Sequence, residues 1–225
     1  HNVILKDGIT EPSFVFGTTQ TGKDIFACLA YGARFSFIFA TVVAAANFIF
    51  GVIWGSISGY SGGKIDLTME RFAEILGSVP TMIVISLLKY HMGATRQALV
   101  LFIAFFATGW IGMAGRTRMQ FYRFKNQEYV MAARTLGARD RRLIWKHIFP
   151  NSLGTIITSS ALVIPGVIFQ ESMLSYLGIV KLGSAGSTSL GTLLSDASSI
   201  WTNYPHLMIC PAVVISLLMI SFNLF

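Results

Sequence analysis

Long stretches without a single Asp, Glu, Lys or Arg alternate here with one strongly basic segment, and few folds are open to a chain built this way. Residues 35–63, 97–115, 147–170 and 197–225 are uncharged. Residues 75–88 form a shorter apolar run between Glu74 and Lys89. A helix that crosses a bilayer needs about 20 apolar residues. Four runs therefore qualify directly. The short one reaches spanning length if Lys89 and His91 snorkel at its far end, and the fourth extends to Val180 if Glu171 is tolerated. The last span is expected to begin near Pro205, and Pro165-Gly166 is expected to loosen the fourth.

With 53% hydrophobic and only 12% charged residues and a mean hydropathy of +0.63, the apolar surface exceeds what one water-soluble core can hide. The expected fold is an all-α, polytopic transmembrane helical bundle of about five spans, with at least one more span upstream. Its expected parts are an external segment, residues 1–30, and a transmembrane domain, residues 31–225, interrupted by a loop at 116–150.

That loop holds Arg116, Arg118, Arg123, Lys125, Arg134, Arg139, Arg141, Arg142 and Lys146 against Glu128 and Asp140, an excess equal to the whole formal charge of +7. Passing each cation through hydrocarbon costs on the order of 3 kcal/mol. The loop is therefore expected on the cytoplasmic side, with residues 60–74 also inside and residues 89–96 and 181–204 outside. A nucleic-acid binder would spread such cations over a soluble fold, so nucleic acid is not an expected partner. Membrane lipid is.

Within the loop, Glu128, Met131, Ala132, Ala133 and Leu136 favour a short helix, and Gly137 is placed to end it in a left-handed conformation. Ala132 and Ala133 give that helix a low profile against which another protein can lie. Asp140 is expected to cap a second helix through Ile148, and Pro150 suits the first turn of the next span. Arg116 is expected to stop the third span. In the first span, Gly51, Gly55 and Gly59 share one helix face suited to close backbone approach, either within the subunit or against a partner.

Other chemistry is sparse. Cys28 and Cys210 have no disulfide or metal spacing. His1, His91, His147 and His206 are scattered, with no paired carboxylates, so neither a metal site nor catalysis is expected. Residues 17–23 match the first seven positions of a P-loop after the strand-like residues 14–16. Asp24, however, takes the place of the magnesium-binding hydroxyl. Glu171 is the one ionisable group deep in a span. It is either a structural group near the span's end or, in a proton-coupled secondary transporter, the coupling site. Glu171 and Met173 are the candidate path-lining residues.

The run Glu-Tyr-Val-Met-Ala-Ala-Arg-Thr-Leu-Gly at 128–137, with His-Ile-Phe-Pro ending at Pro150, resembles the Glu-Ala-Ala loop of ABC-importer permease subunits. Ala132, Ala133, Gly137 and Pro150 match its spacing. Met131, His147 and Phe149 replace its Glu, Ile and Leu, and Glu128 lies one turn before the missing acid. Residues 17–24, 31–34, 58–63 and 171–178 are similar to the C-type subunit of the oligopeptide and dipeptide branch. Residues 189–194 fit less well, because Leu190 stands where that branch usually has Trp.

The resemblance implies a MetI-like permease fold in the bacterial cytoplasmic membrane. It also implies a homologous B-type permease subunit, two ABC ATPases and an external peptide-binding protein as partners. ATP and magnesium would be held by the ATPases, with no cofactor in this chain. The ATPase-coupling residues so implied are Glu128, Met131, Ala132, Ala133, Leu136, Gly137 and Pro150. Nickel, dipeptides or glutathione remain open as cargo.

Overall fold

A computed structural model describes residues 14–19, 22–93, 96–184 and 187–224. In chain order the helices are α1 (Ile25–Ser61), α2 (Gly63–Gly77), α3 (Thr81–Met92), α4 (Gln97–Lys125), α5 (Glu128–Thr135) and α6 (Asp140–Arg142). A π-helical stretch, Leu143–Ile148, then leads into α7 (Phe149–Ala161) and α8 (Val163–Tyr176). A small hairpin of β1 (Gly183–Ser184) and β2 (Ser187–Thr188) precedes α9 (Leu190–Ser198) and α10 (His206–Leu224).

Among the described residues, four helical stretches are long and apolar enough to cross a membrane: Ile25–Ser61, Gln97–Lys125, Asp140–Tyr176 and His206–Leu224. The pair α2 and α3, bent by 70°, makes a fifth candidate. The all-α, five-span expectation therefore matches, but several span boundaries move. Two compact units form, His1–Phe37 with Gln170–Ile220 and Ile38–Phe169 with Ser221–Phe225.

In the second unit, α4 is the central helix. Val100, Leu101, Ala104, Phe105, Trp110, Met113, Ala114, Thr117 and Phe121 are all buried along it. The glycine face of α1 explains the closeness of the packing. A Cβ at Gly51 would lie 2.7 Å from Met113 Cβ and 2.8 Å from Trp110 O; one at Gly59 would lie 2.7 Å from Arg118 O. At Gly55 it would press on the Ala114 carbonyl oxygen. Of the two uses open for this face, the structure realises packing within the subunit. Beside the contact, Phe50, Trp54, Phe72 and Trp110 stack or meet edge to face, with Phe50 and Trp54 each 4.9 Å from Trp110 between ring centroids.

Arg116 does not stop the third span. The helix continues to Lys125 because Thr117 and Phe121 prolong the buried face and because the basic side chains find acceptors. Arg116 Nη1 donates to Ser159 O at 3.2 Å. The residues expected as an inner loop at 60–74 are largely helical as α2. Pro80, which lacks a backbone donor and disfavours helix in the residue before it, separates α2 from α3.

The fourth span begins at Asp140 instead of His147 and breaks at Leu162. Pro165 has no N–H for the Ala161 carbonyl, so the expected loosening appears one turn before the proline. The π-helical stretch follows the same logic at Pro150. Its ring crowds the carbonyl of Lys146, and the wider turn over Leu143–Ile148 makes room.

In the first unit, Ile25 and Leu29 of α1, Leu190 of α9 and Ile215 of α10 form a buried apolar cluster. Gly32 allows the start of α9 to come close: a Cβ there would sit 3.2 Å from Leu190 N. The helix α8 stops at Tyr176 and does not reach Val180. Ile179 N donates to Leu174 O and Gly178 N to Ser175 O, closing a Schellman turn with Gly178 at φ +69°. Helix α1 starts at Ile25, earlier than the expected first span, and α10 starts at His206, beside Pro205 as expected.

Candidate functional site

The short helix α5 forms where the sequence favours it, and its end follows from Gly137. Ala138 N donates to Ala133 O and Gly137 N to Arg134 O, both at 3.0 Å, with Gly137 at φ +82°. This is a complete Schellman turn, which satisfies carbonyls that the helix end would otherwise leave open. At the other end Gln127 is the cap residue, and Glu128 favours the positive end of the helix.

One face of α5 is anchored. Val130 is fully buried with Phe121, Leu143 and Ile148, and Ala133 and Ala138 pack on that cluster. The opposite face carries Glu128, Met131, Ala132, Thr135 and Leu136, at the i, i+3, i+4, i+7, i+8 spacing of one helical stripe, and all five are exposed. Met131 is 52% and Leu136 88% exposed. Ala132 faces outward as expected. Ala133 does not, because the periodicity of 3.6 turns it toward Val130's side.

Past Gly137, Arg139 is the cap residue of α6, and Asp140 is the first helical residue rather than the cap. Its carboxylate instead accepts a hydrogen bond from the Tyr60 hydroxyl, which also receives Arg134 Nη2 at 3.4 Å. Pro150 is the second residue of α7 but does not open the span as expected, because the helix runs into it without a break from Asp140. Eight of the nine cations of the basic segment thus divide into two sets, while Arg123 lies over the Phe124 ring, 5.8 Å from its centroid. Arg116, Arg118, Lys125 and Arg134 are bonded to their own chain. Arg139, Arg141, Arg142 and Lys146 are exposed and make no ion pair among the described residues.

Sequence reasoning missed the polar cluster that ties α1, α2 and α4 together beside this loop. Arg118 grips Asp66 with two bonds, Nε to Oδ1 at 2.6 Å and Nη2 to Oδ2 at 2.7 Å, and reaches Glu70 with Nη1 at 3.0 Å. Tyr122 and Ser58 also donate to Asp66. Lys125 Nζ donates to Gly59 O at 2.8 Å while lying 4.1 Å from the Tyr122 ring centroid. One signal was available. Asp66 and Glu70 stand at i, i+4, where like charges repel unless a cation lies between them.

Glu171 is 1% exposed. Ser36 Oγ donates to its Oε2 and Ser175 Oγ to its Oε1, both at 3.0 Å, while Leu190 N donates to Ser36 Oγ at 3.4 Å. The carboxyl group therefore joins α1, α8 and the start of α9. Met173, two residues on, is 47% exposed. Ser36→Ala is expected to cost about 1.5 kcal/mol, the scale of one such bond. It should lower the thermal midpoint in detergent, and an unchanged midpoint would show that the bond contributes nothing.

The P-loop-like residues 17–23 include 20 and 21, which lie outside the described residues. Around them, Thr18 and Asp24 form an isolated antiparallel bridge, and residues 14–16 make a turn rather than a strand. Asp24 Oδ1 accepts from Phe26 N at 3.0 Å, and so starts α1. Among the described residues no group of three or more His, Cys, Asp or Glu is placed to hold a metal ion.

Apolar helices of spanning length joined by an amphipathic loop helix define a multi-pass helical membrane protein. The chain belongs to the family of binding-protein-dependent transport system inner membrane components, whose model matches residues 51–225. It is 42% identical over 222 residues to the oligopeptide transport system permease protein OppC of Bacillus subtilis, covering 99% of this chain and 72% of that protein. It is 40% identical over 209 residues to the dipeptide transport system permease protein DppC of the same organism, covering 92% of this chain and 64% of that one.

The fold is shared with the MetNI methionine ABC transporter in an inward-facing conformation, at a TM-score of 0.66 and 15% identity over 89% of this chain and 93% of that one. An amino acid ABC transporter with histidines gives a TM-score of 0.68 at 14% identity, over 88% and 90%.

Proposed function

We propose that this chain is a permease subunit of an ATP-driven peptide importer in the bacterial cytoplasmic membrane. In this reading it shares the translocation path with a homologous B-type subunit and receives peptide from an external binding protein. Two ABC ATPases bind ATP and magnesium, and the chain itself is non-catalytic. The observation that carries the reading is the outward stripe of α5: an exposed Met131, Ala132 and Leu136 on a helix whose other face is locked to its own bundle. The names of the OppC and DppC relatives support peptide as cargo.

The stripe suits a cleft on another protein because it is apolar at Met131, Ala132 and Leu136, narrow and rigidly held. Val130 and the Gly137 turn prevent the helix from yielding when it is pushed. Force applied to α5 therefore passes to Phe121 of α4 and to Leu143 and Ile148 at the head of the fourth span. Rigid-body rotation of spans driven by closure of a docked ATPase pair would expose the path to alternate sides.

Leu136→Asp tests this directly. At 88% exposure its loss should change stability by no more than about 0.5 kcal/mol. A carboxylate in an apolar docking cleft should nevertheless reduce ATP-dependent peptide uptake at least about tenfold. Uptake into proteoliposomes, with subunit abundance followed in parallel, is the measurement, and wild-type uptake would sink the assignment. Ala133 is a poorer probe, since enlarging it disturbs the cluster beneath. Competition among peptides, glutathione and nickel in the same assay identifies the cargo. Uptake that persists without ATP on a proton gradient would instead favour a proton-coupled transporter.

A further inference from the structure

Arg139, Arg141, Arg142 and Lys146, which make no ion pair among the described residues, rim a shallow depression of about 510 Å³ together with Trp145. Trp145, 63% exposed, also lines a second, apolar groove of about 480 Å³. That groove runs along α1 from Phe48 to Ser61 and is closed on its other side by Ile144, Trp145 and Phe149. The two features therefore adjoin at one side chain. From Phe48 to Ser61 the helix rises about 20 Å, close to half the full thickness of a bilayer including its headgroups. The basic end lies where the positive-inside rule puts the headgroups of the cytoplasmic leaflet, and a tryptophan stands at the boundary where such rings are enriched.

We propose that this groove is a binding site for one anionic phospholipid of the cytoplasmic leaflet. The phosphate sits among Arg139, Arg141, Arg142 and Lys146, and an acyl chain lies along Ile53 and Ile57 of α1. A single phospholipid supplies both things the site needs, negative charge at one end and an apolar chain of leaflet length at the other. A protein partner would have to place carboxylates beside hydrocarbon, and charged residues are depleted from the centres of protein interfaces. Asp140, the carboxylate closest in sequence to these cations, accepts from the Tyr60 hydroxyl and forms no ion pair with them among the described residues, so their charge is open to an outside anion. Basic pockets between spans on the cytoplasmic side are a known solution for anionic headgroups.

The test uses the protein purified from its own membrane with the subunits that accompany it, reconstituted with lipids brominated on their acyl chains. The Trp145 signal is taken as the difference from a Trp145→Phe preparation. Brominated phosphatidylglycerol is expected to quench it at a mole fraction at least about tenfold below that for brominated phosphatidylcholine. Each neutralisation to Gln among the four cations should reduce that preference about fivefold. The Ile53→Phe, Ile57→Phe double variant, which leaves the charges intact, should lower the retained phosphatidylglycerol counted by native mass spectrometry.

Equal quenching by the two lipids in the unmutated protein overturns the proposal without recourse to any variant. Displacement by millimolar glycerol 3-phosphate as effective as by lipid would make this a phosphate site and overturn the lipid assignment. Protection of Trp145 from both lipids, with crosslinks from position 53 to an accompanying subunit, would assign the groove to protein instead.

Discussion

Gly55→Val is expected to remove the folded protein from the membrane almost entirely. The α1–α4 contact is backbone on backbone at this point, since any Cβ on Gly55 meets the carbonyl oxygen of Ala114 and lies 2.8 Å from Thr117 Cβ. Neither neighbour is the tip of a flexible side chain, so the helices must move apart. Gly51 and Gly59 face the same helix under equally close conditions, so separation at one site loosens all three. Overpacking of a tight core costs about 1–3 kcal/mol where side chains can rearrange, and here they cannot. The expected result is less than about a tenth of the wild-type amount of properly assembled protein, read by detergent gel filtration, with Gly55→Ala showing a smaller loss in the same direction. Normal accumulation of Gly55→Val would mean that the two helices are not in fact in contact at this crossing.

Asp66→Ala should be nearly as damaging for a different reason. It removes the carboxylate that Arg118 holds with two bonds and that Tyr122 and Ser58 also address, leaving the guanidinium with Glu70 and the face of the Tyr122 ring. Breaking a buried pair from one side costs about 3–5 kcal/mol. The lower end applies, because the Arg118 side chain keeps 25% exposure while that of Asp66 keeps 6%. Replacing both members, Asp66→Leu with Arg118→Met, should recover more than half of the loss, since the buried charge is then gone and Glu70, its side chain 37% exposed, is left to water. Thermal melting of the three proteins decides the matter. A double variant no better than Asp66→Ala would show that the cluster matters through the shape of Asp66 rather than through its charge.

The sequence was legible where one local property sufficed. Uncharged runs give the spans, because hydrocarbon rejects charge wherever it occurs. The end of α5 is readable from Gly137 alone, since a left-handed residue there completes the turn. Legibility failed where a distant residue decides. Arg116 reads as a stop only until Ser159 O is found to receive it, and Arg118 reads as a loop cation only until Asp66 appears 52 residues away. The outward and inward sides of α5 needed Val130 to be fixed first. Once its burial is known, the 3.6-residue period assigns Ala132 and Ala133 to opposite fates. Asp140 was misread as a cap because the Tyr60 hydroxyl, 80 residues away, claims its carboxylate.

Arg118 and Lys125 serve both as cations of the basic segment and as polar anchors between helix ends. The charges that bias the direction of threading are thus consumed by the tertiary structure they help to place. If α4 alone entered in the reverse direction, Arg118 and Lys125 would lie across the lipid from Asp66 and Gly59, and the α1–α2–α4 junction could not close. Closure of that junction therefore commits α4 to one direction relative to α1 and α2.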